Sequence, residues 1–515
     1  MTLHAFPLKR MPRSRAALKY AAPLRPLALV MFLAFAAPLT GCTVGPNYVA
    51  PAAPNVTSFT AKPVPARTVS AETTGGAAQT LVAGRDIQGD WWALFHSPQI
   101  NALVERALKA NPTLAAAQAS LREARENTRA EQGSLFPQIS ASTSGERERN
   151  RQFGPEPSTY NVVSGSLSVS YTIDAFGGIR RQIEQLNAQA EYQRYELEAT
   201  ELTLVANVVN AAINEASLQA QIDTTHDIIR SYTAARDVTR RRFELGGVSQ
   251  VDVLQQQALL DAQIATLPGL QKQLEQQRNQ LAVYLGGLPS DYTAPTLDLA
   301  SLVLPEELPV SLPSSLVAQR PDIQAYGALL HSATAADGVA VANMLPQISL
   351  TGSYGRDASS FANLFTPAGI IWSIAGSLSQ PVFEGGALRA KKRSADAAVD
   401  VAAAQYSSTV NSAFQDVANA LVAVQRDAEA LAANLAAQKT AAASLKLAQA
   451  QYSAGGNTYL NVLNAEQSDE SARLKLVASQ ATRYTDTVAL FQALGGGWWH
   501  RNDVDPKVAQ CCGVF

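Results

Sequence analysis

One interval separates four pairs of landmarks in this chain, and that register limits its architecture more than any local propensity does. "SLFPQIS" at 134–140 is answered by "NMLPQIS" at 343–349, with Pro137 and Pro346 standing 209 residues apart. "NPTL" (111–114) answers "RPDI" (320–323), "FELGGVSQVDVL" (243–254) answers "YSAGGNTYLNVL" (452–463), and "YLGGLP" (284–289) answers "ALGGGW" (493–498), all at the same spacing. Markers held in one register mean an internal duplication, so the fold is built from two like halves.

Each half reads helix, strand, strand, long helix, turn, helix. The first helix follows Asn111-Pro112 and is closed by Pro137, since proline cannot extend the helical ladder and biases its predecessor toward extended backbone. Beyond it, Ile139, Ala141 and Thr143 alternate with Ser140, Ser142 and Ser144; later, Leu167, Val169, Tyr171 and Ile173 alternate with Ser166, Ser168, Ser170 and Thr172. The second half repeats this with Ile348, Leu350, Gly352 and Tyr354, then with Ile370, Trp372, Ile374, Gly376 and Leu378. Period two predicts strands at about 138–149, 162–174, 347–357 and 370–380. A soluble antiparallel sheet on an ordinary core fits the alternation alone. The nearly uniform Ser/Thr face favours the wet wall of a channel. The hairpin loops, "GERERNRQFGPEPSTY" and "GRDASSFANLFTPAG", are long and polar, as exposure beyond a membrane requires.

Glycines in "FGGIRR" (176–181) and "FEGGALRAKK" (383–392) permit sharp strand-to-helix corners. From about Ile179 to Leu245 no breaker follows, so a helix of roughly 67 residues, about 100 Å long, is expected. Its counterpart runs from Ala387 to Ala454. There Val417, Leu421, Val424, Ala428, Leu431, Leu435, Gln438, Ala442 and Leu445 step by four and three, the seam of a coiled coil. Gly246-Gly247 and Gly455-Gly456 break these helices, and return helices run to Gly286-Gly287 and Gly495-Gly496, the first expected to kink at Pro268.

Composition excludes several classes. A net charge of −2 gives no field for nucleic acid, and no apolar run reaches the roughly 18 residues of a helical span. If the chain crosses a bilayer, it does so as strands. Five scattered histidines (His4, His96, His226, His331, His500) offer no metal spacing, and adjacent Cys511 and Cys512 rarely meet disulfide geometry with each other. Neither a phosphate-binding loop nor a nucleophile elbow is present, so no enzyme, metal or cofactor is expected.

The N-terminus carries an address. Lys9, Arg10, Arg13, Arg15, Lys19 and Arg25 precede the apolar run Leu27–Leu39, an export signal over 1–41. Leu39-Thr40-Gly41-Cys42 directly behind it looks like a bacterial lipobox, so Cys42 is expected to carry diacylglycerol and an N-acyl chain. The remaining organisation reads as an extended segment over 42–97, repeats over 98–290 and 313–497, an equatorial linker over 291–312, and a tail over 498–515 without functional signal, expected to be unstructured.

Two strands per repeat give four per chain, and a four-stranded sheet cannot close. An open edge in lipid strands unpaired amides, and membrane barrels begin at about eight strands. Several chains must therefore pool their strands, with the long helices forming a tube below.

The residues carry a resemblance. The lipobox followed by "TVGPNYVAP" (43–51), "DWWALFHSPQINALVERALKANPTL" (90–114), "LFPQIS", "FGGIRR", "QRPDI" (319–323), "LPQIS", "PVFEGGALR" (381–389) and the paired glycine turns stand in the order of the TolC superfamily. Nearly the whole chain resembles the NodT-like lipoprotein branch of its outer-membrane factors. The resemblance implies a mostly α fold with membrane β: a homotrimer with a twelve-stranded barrel in the outer membrane, continued by a periplasmic α-helical coiled-coil barrel. It implies lipid-anchored passage of drugs or other small toxic compounds, handed over by an inner-membrane pump, of the RND type, and a periplasmic adaptor. The adaptor would dock at the turns around Gly246, Gly247, Gly455 and Gly456. Leu460 and Asn464 would line the constriction, with Asn461 and Asp252 close by; amides replace the acidic residues frequent among relatives here. Helix capping beside the turn is the other reading of Asn461. A duct for secreted protein or glycan, or a non-conducting periplasmic tether, stays open from the sequence; the Ser/Thr-striped strands speak against the tether.

Overall fold

The computed structural model describes residues 43–150, 156–295 and 297–501; Cys42, the signal segment and residues 502–515 lie outside the described residues. In chain order, the first half comprises β1 (Thr80–Ala83), a 3-10 turn at Trp91–Phe95, α1 (Pro98–Ala110), α2 (Pro112–Gln132), β2 (Gln138–Asn150), β3 (Ser158–Ile173), α3 (Gly178–Glu244) and α4 (Gln250–Tyr284). The second comprises β4 (Glu307–Val310), α5 (Pro313–Gln319), α6 (Pro321–Ala342), β5 (Gln347–Ala358), β6 (Ile370–Ser379), α7 (Ala387–Ser453) and α8 (Tyr459–Ala493).

Local chemistry sets these boundaries. Asn111 Oδ1 accepts from the Thr113 and Leu114 N–H groups at 2.8 and 3.1 Å, and Pro112 fills the first helical position of α2. At the corner after β3, the Asp174 carboxylate accepts from Ile179 N and Arg180 N, both at 3.0 Å, so it caps α3 from outside the helix. Helices α3 and α7 each span 67 residues, free of glycine and proline beyond the first residue of α3. Return helix α4 contains Pro268 within its length.

The long helices pair as hairpins, α3 with α4 and α7 with α8, and α3 also packs along α6, α2 and α8. The main core lies at their waist. There Trp91, Phe95, Ile100 and Val104 meet Val205–Ile213 of α3, Val417–Val424 of α7 and Tyr484–Phe491 of α8. About 26 residues of α3, roughly 40 Å, lie on the sheet side of this core, and a similar length projects beyond it. Below the waist the described residues form only small clusters, around Ile228, Tyr232 and Leu260, and around Tyr459, Val462 and Leu463.

Several elements escape the sequence reading. β1 and β4 form a small parallel sheet, Thr80 opposite Glu307 through Ala83 opposite Val310, stitching the extended segment to the linker. Helices α1 and α5 precede the proline-started helices of each half. The start of the tail, expected to be unstructured, is packed at the waist over Trp498–Arg501. Trp498 Nε1 donates to Gln319 O at 2.7 Å, and the Arg501 guanidinium meets the buried carboxylates of Glu198 and Glu201. Indole burial and two carboxylates needing a cation hold it there.

Thr43 to Tyr48 are also held. Val44 N donates to Phe176 O at 3.2 Å, and Thr43 packs on Gly177 at the β3–α3 corner. Arg181, its side chain buried, donates from Nε to Val44 O (3.0 Å) and from a terminal nitrogen to Asn47 Oδ1 (2.6 Å), while its other terminal nitrogen pairs with Glu184 at 2.7 Å. Tyr48 stacks on His331, which sits 2.9 Å from Glu184. The residue following Cys42 is thereby fixed where sheet meets helix.

At the waist, Asp486 of α8 shares a hydrogen bond with Asp427 of α7 beside buried Arg483, which donates to Val424 O at 2.6 Å. Burial first, then that hydrogen bond and the like charge of Asp427, push Asp486 up to about 8 despite the pull of Arg483. The folded chain therefore holds this proton more tightly than the unfolded chain, where the carboxyl titrates near 3.8. The stabilisation is complete below about pH 4 and is lost as pH rises toward 8. Asp486→Asn is expected to flatten the fall in melting temperature between pH 5 and 8; parallel profiles for wild type and variant would remove this carboxyl as its source.

Candidate functional site

β2, β3, β5 and β6 form one antiparallel sheet in that order, with open edges at β2 and β6. Directly opposed residues share a face. Ile139 opposes Val169 and Ala141 opposes Leu167; Leu167 opposes Tyr354, and Ile173 opposes Ile348. Across the last pair, Tyr354 opposes Trp372, Gly352 opposes Ile374, and Ile348 opposes Leu378. One face is thus apolar across all four strands, and it is uncovered: Ile139 is 72%, Trp372 70% and Ile374 81% exposed.

The other face is hydroxyl. Ser142 and Ser166 Oγ atoms lie 3.0 Å apart, Ser144 and Ser164 2.6 Å, Ser349 and Ser377 2.7 Å, and Ser353 and Ser373 2.8 Å. These ladders satisfy one another while leaving lone pairs for water. The sheet encloses no core, so its fold follows from strand pairing plus an apolar face that needs a non-aqueous neighbour. Among the described residues no helix is long and apolar enough to cross a membrane.

At the opposite end, both glycine turns close their helices in the same way. Gly246 and Gly455 adopt φ of 75° and 76°, which L side chains rarely take. Gly247 N donates to Arg242 O at 2.8 Å and Gly456 N to Gln451 O at 2.9 Å. Exposed Leu245, Val251 and Leu254 crowd the first turn. The four residues tied by resemblance to a constriction divide here. Leu460 and Asn464 occupy one exposed face of α8, continued by Gln467 and Ser471, opposite buried Tyr459, Val462, Leu463 and Glu466. Asn461 is also exposed, but its amide donates to Asn457 Oδ1 within the turn. The Asp252 carboxylate accepts from Ser249 N at 2.9 Å, and Ser249 Oγ accepts from Asp252 N at 3.3 Å, a capping box that starts α4.

The sequence reading missed a polar network joining the two hairpins. Tyr459 OH donates to Gln256 Oε1 at 2.6 Å and lies 3.1 Å from Thr239 Oγ1. Tyr232 OH donates to Glu470 at 2.9 Å, and Gln256 Nε2 donates to Glu466 at 3.4 Å. These partners lie more than 200 residues apart, so no local pattern links them; the one available sign was polar residues on the apolar stripe of α8.

Comparison with known proteins agrees with this geometry. The chain is 32% identical over 469 residues to the antibiotic efflux pump outer membrane protein ArpC of Pseudomonas putida, covering 90% of this chain and 94% of that protein. It is 31% identical, with the same coverage, to the toluene efflux pump outer membrane protein TtgC of Pseudomonas putida. The solved structure of the outer-membrane channel OprN superposes with a TM-score of 0.80 at 28% identity, covering 89% of this chain and all of that one. Residues 103–287 and 312–496, one stretch in each half, both match the model described as outer membrane efflux protein, and the chain belongs to that family.

Proposed function

We propose that this protein is the outer-membrane channel of a tripartite efflux system, a passive duct through which small toxic compounds leave the periplasm. The observation that carries this reading is the sheet. Its apolar face is exposed, its hydroxyl face is continuous, and both its edges are unpaired. Three copies would supply twelve strands, enough to close a barrel and pair every edge, whereas one copy in lipid leaves amides that cost several kcal/mol each. The apolar face would then meet lipid and the serine ladders would wet the lumen. Helices of 67 residues, about 100 Å long, would carry the conduit across the periplasm. Relatives named for antibiotic and toluene export favour small apolar or amphiphilic cargo.

In this reading the paired turns at Gly246-Gly247 and Gly455-Gly456 receive a periplasmic adaptor, which links the duct to an inner-membrane pump of the RND type. Leu460 and Asn464 line the constriction from each copy, an uncharged ring of apolar and amide groups. Asn461 and Asp252 support it indirectly, through the turn and the α4 cap. A diacylglycerol and an N-acyl chain on Cys42 anchor the mature N-terminus at the outer membrane; the seating of Thr43 against the β3–α3 corner supports that level.

Purified oligomer is expected to form ion-conducting channels in planar bilayers, with conductance rising when Leu460 and Asn464 are both replaced by Ala. A folded oligomer that conducts nothing, in wild type and in that variant alike, would exclude a pore. Labelled fatty acid is expected to enter the wild-type chain in cells and to be lost with Cys42→Ser; equal labelling of both would place the lipid elsewhere.

A further inference from the structure

Between the two hairpins, beyond the waist, lies a cavity of about 410 Å³, within the size range of small-molecule sites. Three tyrosines wall it: Tyr232 from α3, Tyr452 from α7 and Tyr459 from α8. Three carboxyl groups of α8 face the same space, Glu466, Asp469 and Glu470. Carboxylates along a helix are ordinarily solvated, but two of these groups are not. Glu466 is 6% and Asp469 4% exposed. Carboxylates so buried are ordinarily paired.

The pairing is incomplete. Asp469 Oδ2 takes Arg473 Nε at 2.7 Å, while its Oδ1 is buried without a hydrogen-bond partner. Glu466 is met by the side-chain amides of Gln256 and Gln449 and has no ion pair among the described residues. Burial pushes its carboxyl up, as it does for an acid with amides rather than a cation beside it. Among the described residues, Glu470 receives only a tyrosine hydroxyl, that of Tyr232. The second guanidinium in the cavity, Arg242, lies over the Tyr452 ring, 5.3 Å from its centroid, and not on a carboxylate. Apolar wall between these groups comes from Ile228, Val238, Leu445 and Val462.

Aromatic faces, surplus carboxylate and apolar surface in one space are the chemistry that holds a cation carried on an apolar body. We propose that this cavity is a binding site for amphiphilic organic cations, such as a protonated alkylamine bearing an aromatic ring. Its walls come from both hairpins, so an occupant bridges α3 and α8 and ties their motions together at the level where the polar network already joins them. The site lies in helices outside the sheet, and its existence does not depend on whether the protein conducts.

Full-length protein in detergent, titrated calorimetrically with 4-phenylbutylamine and with the neutral 4-phenylbutan-1-ol, tests this. Wild type is expected to bind the amine saturably, one site per chain, and the alcohol about tenfold or more weakly, as loss of a charge-assisted contact dictates. Glu466→Gln with Asp469→Asn is expected to abolish the preference for the amine, whereas Glu429→Gln, at an exposed carboxylate, leaves it unchanged. Should the double variant fail to fold, Glu466→Gln alone and the amine-to-alcohol ratio of wild type carry the same test. Absence of saturable amine binding to wild type, equal affinity for amine and alcohol, or an unaltered preference in folded Glu466→Gln and in the double variant would overturn the proposal. A protein that fails to bind the amine yet conducts would lose this site and keep the conduit; one that binds and does not conduct would do the reverse.

Discussion

A backbone amide at a sheet edge must have a partner wherever water is absent, and the rest of this structure depends on that constraint. β2 and β6 each present such an edge. In water the edges are tolerable, but the apolar face with Trp372 and Ile374 uncovered is not; in lipid the face is satisfied and the edges are not. In the proposed reading, closure with further copies relieves both conditions at once. The duplication has the same logic, since each half supplies one hairpin of the sheet and one long helical hairpin below it.

Stability is spread unevenly along that design. Among the described residues the waist holds the one large core, where the N-terminal segment and the linker wrap the helices and the start of the tail is tied alongside. It also holds buried ionic groups, Arg483 beside Asp486 and Arg501 beside Glu198 and Glu201, which specify packing at some cost in desolvation. Beyond the waist the hairpins are joined by small apolar clusters and by hydrogen bonds through Tyr459, Gln256 and Tyr232. Packing so sparse leaves the turn-bearing ends freer to shift relative to each other than the waist, which suits the end where passage through the duct would be controlled.

Much of the fold was legible in the residues. Alternation from Ile139 to Thr143 and from Leu167 to Ile173 marks strands because a sheet exposed on two unlike faces enforces period two. Long stretches without proline, and without glycine beyond the first residue of α3, mark helices because nothing in them can end one. Of the seam from Val417 to Leu445, the stretch through Leu431 is buried as its spacing requires, whereas Leu435, Gln438, Ala442 and Leu445 are half-buried. β1 and β4 were not legible, being four residues each without alternation and paired only through each other. The tail start misled for a related reason: Trp498 and Arg501 are held by Gln319, Glu198 and Glu201, far away in sequence. At the turns, the resemblance set Asn464 on the constriction and Asn461 close by, with capping as the other reading of Asn461; the geometry ties the Asn461 amide to Asn457 and leaves Asn464 on the open face of α8. Arg181 was visible within "FGGIRR", but its grip on residues 44–47 was not.

The central claim, that the sheet has one face in lipid and the other in water, is open to a direct test along β3. Single cysteines would replace each residue from Ser166 to Thr172 in a chain whose own Cys511 and Cys512 are changed to Ser, reconstituted in vesicles. A water-soluble maleimide and a lipid-soluble quencher would then report on each site. The account requires period two: Ser166, Ser168, Ser170 and Thr172 react from water, while Leu167, Val169 and Tyr171 are quenched from lipid. Uniform reaction from water along the strand, with no quenching at any position, would contradict it.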